Sequence, residues 1–391
     1  MTDLLKGAAI AALLLAGPAI GQTCGGPFPA FVDGLRAEAL ARGFDAATTD
    51  AFLAGVRQDE RTLAADRRQG VFQLPFTDFA RRIISQNRID NGQRNAARLA
   101  PVFERIEATY GIPRGVLLAF WALETDYGAF QGDYTTLNSL VTLAHDCRRP
   151  ELFRPQIFAA LELFGRGQFD PVRTTGAWAG EIGMVQMLPE DILNHGTDAD
   201  GDGRVDLAGS APDALVSGAA MLSGLGWRPG EPWLLEAVVP TSLDPTLTGF
   251  AGRRSMGEWR ALGVAPRAGR APDGLPAALL LPQGQGGPAF LAFPNFDVYL
   301  EWNQSLVYAM TAAYFATRLE GAPVFDPGSP RPGLADAQMR DLQRRLQARG
   351  HDVGEVDGIL GAGTRAAVRA EQGRLGLPVD GWPDARLLGS L

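Results

Sequence analysis

The chain predicts a mainly α, α+β architecture: a large helical body with a small β element, followed by a compact three-helix unit at the C-terminus. Three observations lead there. Apolar residues recur at spacings of three and four through the first half, glycine and proline crowd around short apolar runs between Pro240 and Pro294, and a Pro/Gly-rich stretch near residue 330 precedes a second, shorter set of helical patterns. At 391 residues the chain exceeds what one hydrophobic core usually serves, so at least two domains are expected. Its composition, 46% hydrophobic and 20% charged, is that of a globular protein that folds. The formal charge of -8, with no Lys/Arg cluster, argues against nucleic acid as a partner.

Residues 1–21, MTDLLKGAAIAALLLAGPAIG, place Lys6 before an apolar run and end on the small-residue site Ala19-Ile20-Gly21, the pattern of a cleaved signal peptide. The run from Gly7 to Ile20 is shorter than the roughly 20 residues a membrane span needs. A periplasmic, monomeric product that does not span the membrane is expected. Cys24 and Cys147 are the only cysteines, and in an oxidising compartment they are predicted to form a disulfide. Closing that loop is worth roughly 4 to 5 kcal/mol in the chain-entropy picture.

From Phe28 to about Phe164 the pattern is helical, as in Phe31-Leu35-Ala39 and Val102-Ile106. Ala277 to Leu281 and Ala289 to Phe293 read as strands of a small sheet. Helical periodicity returns from Val298 to Leu319 and closes a body spanning 22–320. Residues 321–333, GAPVFDPGSPRPG, read as a linker that packs no core. In the 334–391 tail, Met339, Leu342 and Leu346 share a helical face and a second helix starts near Thr364. Val356-Asp357-Gly358-Ile359 is echoed by Val379-Asp380-Gly381-Trp382, a repeated Asp-Gly turn. The string LQRRLQARGHDVGEVDGILGAGTRAAV resembles the peptidoglycan-binding domains found at the ends of wall hydrolases, with Glu371 where that family usually has Phe.

The chemistry is carried by IPRGVLLAFWALETDYG, residues 112–128. Val116, Leu117, Phe120 and Trp121 form an apolar stripe that reaches Glu124 at the next helical step. A carboxyl group there is desolvated and lies at the negative end of the helix dipole, and both effects raise its pKa towards what a general acid needs. Asp126, two positions on, reads as a turn residue rather than a catalytic partner. A second motif, GEIGMVQMLPE at 180–190, offers Gln186 as a neutral amide between glycines that allow close backbone approach.

Together ETDYGAF and GEIGMVQMLP resemble the lytic murein transglycosylases of the membrane-bound B type, over about Phe31 to Leu319. That resemblance implies a lysozyme-like catalytic domain acting on peptidoglycan glycan strands. It makes Glu124 the sole acid/base and puts Gln186 and Asn295 in the substrate cleft, with Tyr127, Met184 and Trp302 as further contacts. Trp302-Asn303 stands where the family usually has Tyr-Asn, Thr125 replaces the usual Ser, and Ala177 stands where a cleft Ser is common. With one carboxylate the implied reaction leaves a 1,6-anhydromuramoyl end and requires no cofactor. The rival readings are a hydrolytic muramidase and a non-enzymatic wall-binding protein.

DADGDGRVD places Asp198, Asp200, Asp202 and Asp206 at positions 1, 3, 5 and 9 of an EF-hand-like loop, with Gly203 at 6 and Arg204 at 7. Position 12 is Gly209 rather than Glu, and Asp213 is the candidate for the last carboxylate. Either a structural calcium site, as the resemblance implies, or a solvated acidic turn satisfies this pattern. His145, His195 and His351 form no ligand set, and His351 is expected on the surface of the tail.

Overall fold

The computed structural model describes residues 24–68 and 74–391, so the expected signal peptide at 1–21 lies outside the described residues. The first six helices are α1 (Phe28–Ala41), α2 (Ala46–Leu53), α3 (Glu60–Asp66), α4 (Phe76–Ile83), α5 (Gln86–Arg98) and α6 (Ala100–Tyr110). Of these, α5 and α6 pack against α7 (Arg114–Thr125), in which Val116 to Ala122 are all buried. Then follow α8 (Thr136–His145), α9 (Pro150–Gly165), α10 (Pro189–His195), α11 (Ala211–Gly224), α12 (Met256–Ala261), α13 (Pro294–Trp302) and α14 (Leu306–Leu319). Gly115 lets α7 lie against α14, because a Cβ there would stand 2.8 Å from the Ala316 carbonyl. Its N–H donates to Glu320 Oε1 at 2.7 Å, satisfying one of the open amides at the start of α7.

Short strands β1 (Tyr134–Thr135) and β2 (Thr175–Gly176) pair beside the end of α7. The predicted sheet is present as β3 (Leu234–Val238), β4 (Arg254–Ser255), β5 (Ala265–Pro266), β6 (Pro276–Leu280) and β7 (Phe290–Ala292). Its order is β4-β6-β7-β3-β5, antiparallel throughout, with Leu279 opposite Leu291 and Leu235 opposite Leu291. One face covers the helical body; the other packs Leu279, Leu291 and Phe293 over Met256 and Trp259 in a small core of its own.

The stretch from Val298 to Leu319 is not one helix. Asn303 leaves the helical region at φ -149°, its Oδ1 accepts from Ser305 N at 2.9 Å, and Ser305 caps the new start at Leu306. The disulfide Cys24–Cys147 is formed, with Cα atoms 5.1 Å apart, and ties the start of the described chain to the turn after α8.

In the tail, α15 (Asp336–Ala348), α16 (Ala362–Arg374) and α17 (Ala385–Ser390) close over Met339, Leu342, Leu346, Val368 and Leu387. The repeated turn is a repeated device. Gln343 accepts from Gly358 N and donates to Asp357 Oδ1, and Gln372 does the same with Gly381 N and Asp380 Oδ1. His351, expected at the surface, is part-buried: its Nε2 lies 2.9 Å from Glu371 Oε1. Glu371 is buried, and Arg374 together with His351 keeps its carboxyl below the usual range.

The 321–333 stretch differs from a free spacer as well. Phe325 is buried among Phe76, Phe290 and Tyr314 of the body. Asp380, its side chain fully enclosed, accepts from Gln285 N at 3.0 Å and from Arg331 at 2.7 Å. On α16, Arg365 donates to Pro282 O and Arg369 to Thr246 O. The tail is thereby docked on the body.

Candidate active site

Glu124 lies in the last turn of α7, one step beyond Phe120 and Trp121. Phe120 is fully buried and packs its ring on Trp302, centroids 4.3 Å apart, and on Tyr299 at 4.9 Å. That stack aims the Trp302 indole, whose Nε1 donates to Glu124 Oε1 at 3.0 Å. Tyr308, in the first turn of α14, donates its hydroxyl to the same oxygen in a short hydrogen bond. The break at Asn303–Ser305 brings both donors to one oxygen of the carboxyl group. Burial raises the Glu124 pKa to about 7, against the pull of the two donors, which favour the anion. The Tyr308 hydroxyl is held well above its ordinary value by burial and by the neighbouring carboxylate.

Helix α7 stops immediately after its acid. Asp126, Tyr127 and Gly128 all take positive φ, 50°, 61° and 88°, a conformation Tyr tolerates poorly and the surroundings must impose. The restraints are visible. Asp126 Oδ1 accepts from Arg88 Nε at 2.9 Å, the Tyr127 hydroxyl donates to Arg88 O at 2.8 Å, and Thr125 Oγ1 donates to Met184 O at 2.7 Å while accepting from Gly128 N. Asp126 is therefore a tied turn residue.

The 180–190 motif forms a tight turn, closed by the bridge between Ile182 and Met187. Gly183 has φ 80°, and a Cβ there would stand 2.5 Å from Leu207 O. Gln186, itself at φ 54°, donates to Gly183 O at 2.7 Å and Gln131 O at 3.3 Å, which fixes its amide beside the end of α7. Tyr127 and Met184 line a cavity of about 480 Å³ with Trp121, Arg98 and the acidic loop residues Asp200, Asp202 and Asp206.

Asn295 is placed differently. It is fully buried, its Oδ1 accepts from Arg228 N at 2.7 Å, and its Nδ2 donates to the carbonyls of Arg228 and Glu231, both at 2.8 Å. Its amide holds a backbone turn.

In the acidic loop, carboxylate oxygens of Asp198, Asp200 and Asp202 come within 4.8 Å of one another. Asp206 accepts from the amides of Ala208 and Gly209. Asp213, fully buried, accepts from Ala199 N, Asp200 N and Asp206 N, so it braces the loop from behind rather than joining the exposed trio. Hard carboxylate oxygens in this array fit a cation such as calcium. The far end of the loop donates no freedom to the cleft, since Leu207 O accepts from Met184 N at 2.8 Å.

Two residues at the site were missed by sequence reasoning. Tyr308 stands 184 positions from Glu124 in an apolar helical pattern and carries no local signal. Glu181 lies inside the quoted motif, with its Oε2 shielded from solvent and its carboxyl pKa raised by burial.

A helical body built around a desolvated glutamic acid at the end of its central helix is the arrangement of lysozyme-like glycan-cleaving folds. Residues 27–317 match the Transglycosylase SLT domain family, and residues 335–391 match a putative peptidoglycan binding domain. The chain belongs to the transglycosylase SLT family. It is 27% identical over 234 residues to membrane-bound lytic murein transglycosylase B of Escherichia coli (strain K12), a match spanning 59% of this chain and 64% of that protein, just under two thirds of its length. Among solved structures, SltB3 of Pseudomonas aeruginosa in complex with NAG-anhNAM-pentapeptide is 38% identical with a TM-score of 0.85, covering 94% of this chain and 99% of that one. The Escherichia coli lytic transglycosylase Slt35 in complex with calcium is 25% identical with a TM-score of 0.65, covering 76% and 96%.

Proposed function

We propose that the chain is a periplasmic lytic transglycosylase that cleaves the MurNAc-GlcNAc β-1,4 bond of peptidoglycan and leaves a 1,6-anhydromuramoyl end. The observation that carries this is the Glu124 carboxyl at the end of the buried helix α7, held by Trp302 and Tyr308 through one oxygen, where burial pushes its pKa up to about 7. Its proton goes to the glycosidic oxygen as the C1–O bond breaks. The N-acetyl oxygen of the same muramoyl unit bonds to C1 and shares the positive charge. The C6 hydroxyl then attacks C1, the N-acetyl oxygen leaves, and the hydroxyl proton returns to Glu124. No water is consumed, and one group serves as acid and then base.

Hydrolases of the two-carboxylate kind need a second carboxyl placed to activate water or to attack. Asp126 is tied to Arg88, and the Glu181 Oε2 is sealed from solvent. Relatives support the substrate class: SltB3 was solved with NAG-anhNAM-pentapeptide and with NAG-NAM-pentapeptide. Gln186, Tyr127 and Met184 form the cleft beside Glu124, with Asn295 supporting the 228–231 turn. The body at 22–320 cuts, the tail at 334–391 grips the wall, and the protein acts as a monomer. Calcium, held by Asp198, Asp200, Asp202 and Asp206 with the Arg204 carbonyl, would supply rigidity to the loop that abuts Met184; Slt35 was solved in complex with calcium.

Mass spectrometry of purified sacculi digested by native protein tests the reading. Anhydromuramoyl products that disappear with Glu124→Gln support it. Reducing ends instead would establish a muramidase, and no release by native protein would leave a wall-binding protein.

A further inference from the structure

Trp302 has one polar atom, and that atom is spent on Glu124. Its indole Nε1 donates to Glu124 Oε1 at 3.0 Å, so a side chain expected among the substrate contacts has no hydrogen bond left to give a sugar. The ring is held by packing. Phe120, fully buried on α7 one helical step before Glu124, lies 4.3 Å from the Trp302 ring and 4.9 Å from that of Tyr299, centroid to centroid, and both partners belong to α13. The acid and its donor are therefore braced through one aromatic stack. The Tyr308 hydroxyl, carried in by the first turn of α14, donates to the same oxygen.

A carboxyl oxygen offers two lone pairs, and both of those on Oε1 are engaged. Among the described residues no hydrogen bond ends on Oε2. An indole N–H can only donate; unlike a hydroxyl, it cannot turn and accept a hydrogen bond from a carboxylic acid. A proton on Oε1 would compete with the Trp302 N–H for one lone pair, whereas a proton on Oε2 displaces nothing.

Resting on the reading of Glu124 as the acid, we propose that Trp302 is a positioning residue that reserves Oε1 and so makes Oε2 the oxygen that gives up the proton and later takes one back. The bonds balance as in the reaction above. The Oε2–H bond breaks as the glycosidic oxygen gains its proton and leaves C1, and an Oε2–H bond forms again as the C6 hydroxyl loses its proton on bonding to C1. Between the two transfers the anion keeps its orientation, because Trp302 and Tyr308 hold the other oxygen throughout.

The test removes the N–H and keeps the rings. With 3-benzothienylalanine in place of Trp302, sulfur stands where the indole carries N–H, and the surface that Phe120 packs against is retained. On soluble peptidoglycan strands kcat should fall by about tenfold to a hundredfold with KM unchanged, the cost of a reacting group free to turn out of line. A raised KM with kcat unchanged would make Trp302 a sugar contact, and unchanged kinetics would make it packing alone; either overturns the proposal.

A second measurement requires no catalysis. Proton–nitrogen NMR follows the Trp302 indole N–H, assigned by its loss in Trp302→Phe. The resonance should move downfield as Glu124 ionises, with a midpoint at about pH 7, and should lose that step in Glu124→Gln. Tyr308 keeps its proton across this range, since burial holds its hydroxyl well above the ordinary value. A Trp302 resonance with the same pH response in both proteins overturns the proposal. An inactive native enzyme would refute the transglycosylase reading, while the hold of Trp302 on the carboxyl would still be judged by NMR.

Discussion

Replacing Glu124 by Gln should make the protein inactive and, at alkaline pH, more stable. The folded carboxyl keeps its proton up to about pH 7, whereas the ordinary value is 4.5, because burial outweighs the help that Trp302 and Tyr308 give the anion. Between those two pH values the unfolded chain has released the proton and the folded chain has not. Native stability therefore falls as pH rises through that window, and the full penalty is present above about pH 7. At about 1.4 kcal/mol per pH unit the penalty reaches about 3 kcal/mol, a ceiling because Glu124 is only part-buried and solvent screens it.

Gln has no proton to lose, so the variant should match the native protein near pH 4 and exceed it by up to about 3 kcal/mol at pH 8. Urea unfolding at both pH values, with equal m-values, measures the difference. Digestion of sacculi should fall about 10²- to 10⁴-fold, the usual contribution of a general acid. A Gln variant no more stable than native at pH 8, or one that still digests sacculi, would refute the account of the site.

Tyr308→Phe removes one donor to the Glu124 anion and leaves the ring, so the alkaline limb of the rate profile should rise by roughly one to two pH units, the equivalent of a charged hydrogen bond of about 1.5 to 3 kcal/mol; pH-rate profiles decide it. Reducing the Cys24–Cys147 disulfide, which spans 123 residues, should lower stability by up to about 5 kcal/mol in urea melts with and without reductant. Asp380→Asn removes the charge at the tail junction and should weaken docking by about 3 to 5 kcal/mol, read as faster proteolysis between residues 321 and 335. Millimolar calcium should raise the midpoint of thermal unfolding, and Asp200→Asn should reduce the rise.

The placement of Glu124 was readable because its evidence is local: an apolar stripe on one helix leads to position 124, and a glycine-bearing turn follows it. The small sheet was readable for the same reason, since 277–281 and 289–293 are short runs set among turn residues. What failed to appear in the sequence depends on distant contacts. A continuous helical pattern from Val298 to Leu319 hid the break at Asn303–Ser305, and that break is what turns Trp302 and Tyr308 onto one oxygen. Asn295 looked like a cleft residue, yet its amide is consumed by the 228–231 backbone. The 321–333 stretch has the composition of a free linker, but Phe325 finds an aromatic nest that no local pattern announces. His351 moved inward because Glu371 offers a buried charge to meet.

The docked tail carries a mechanical consequence. Gln372, Arg331 and the amide of Gln285 all converge on the Asp380 carboxylate, so the second Asp-Gly turn holds the two units together. A glycan strand gripped by such a tail would meet Glu124 at one set offset, as stock clamped in a jig meets the saw. Fragments of narrow length distribution would be its signature, and loosening Asp380 would blur them.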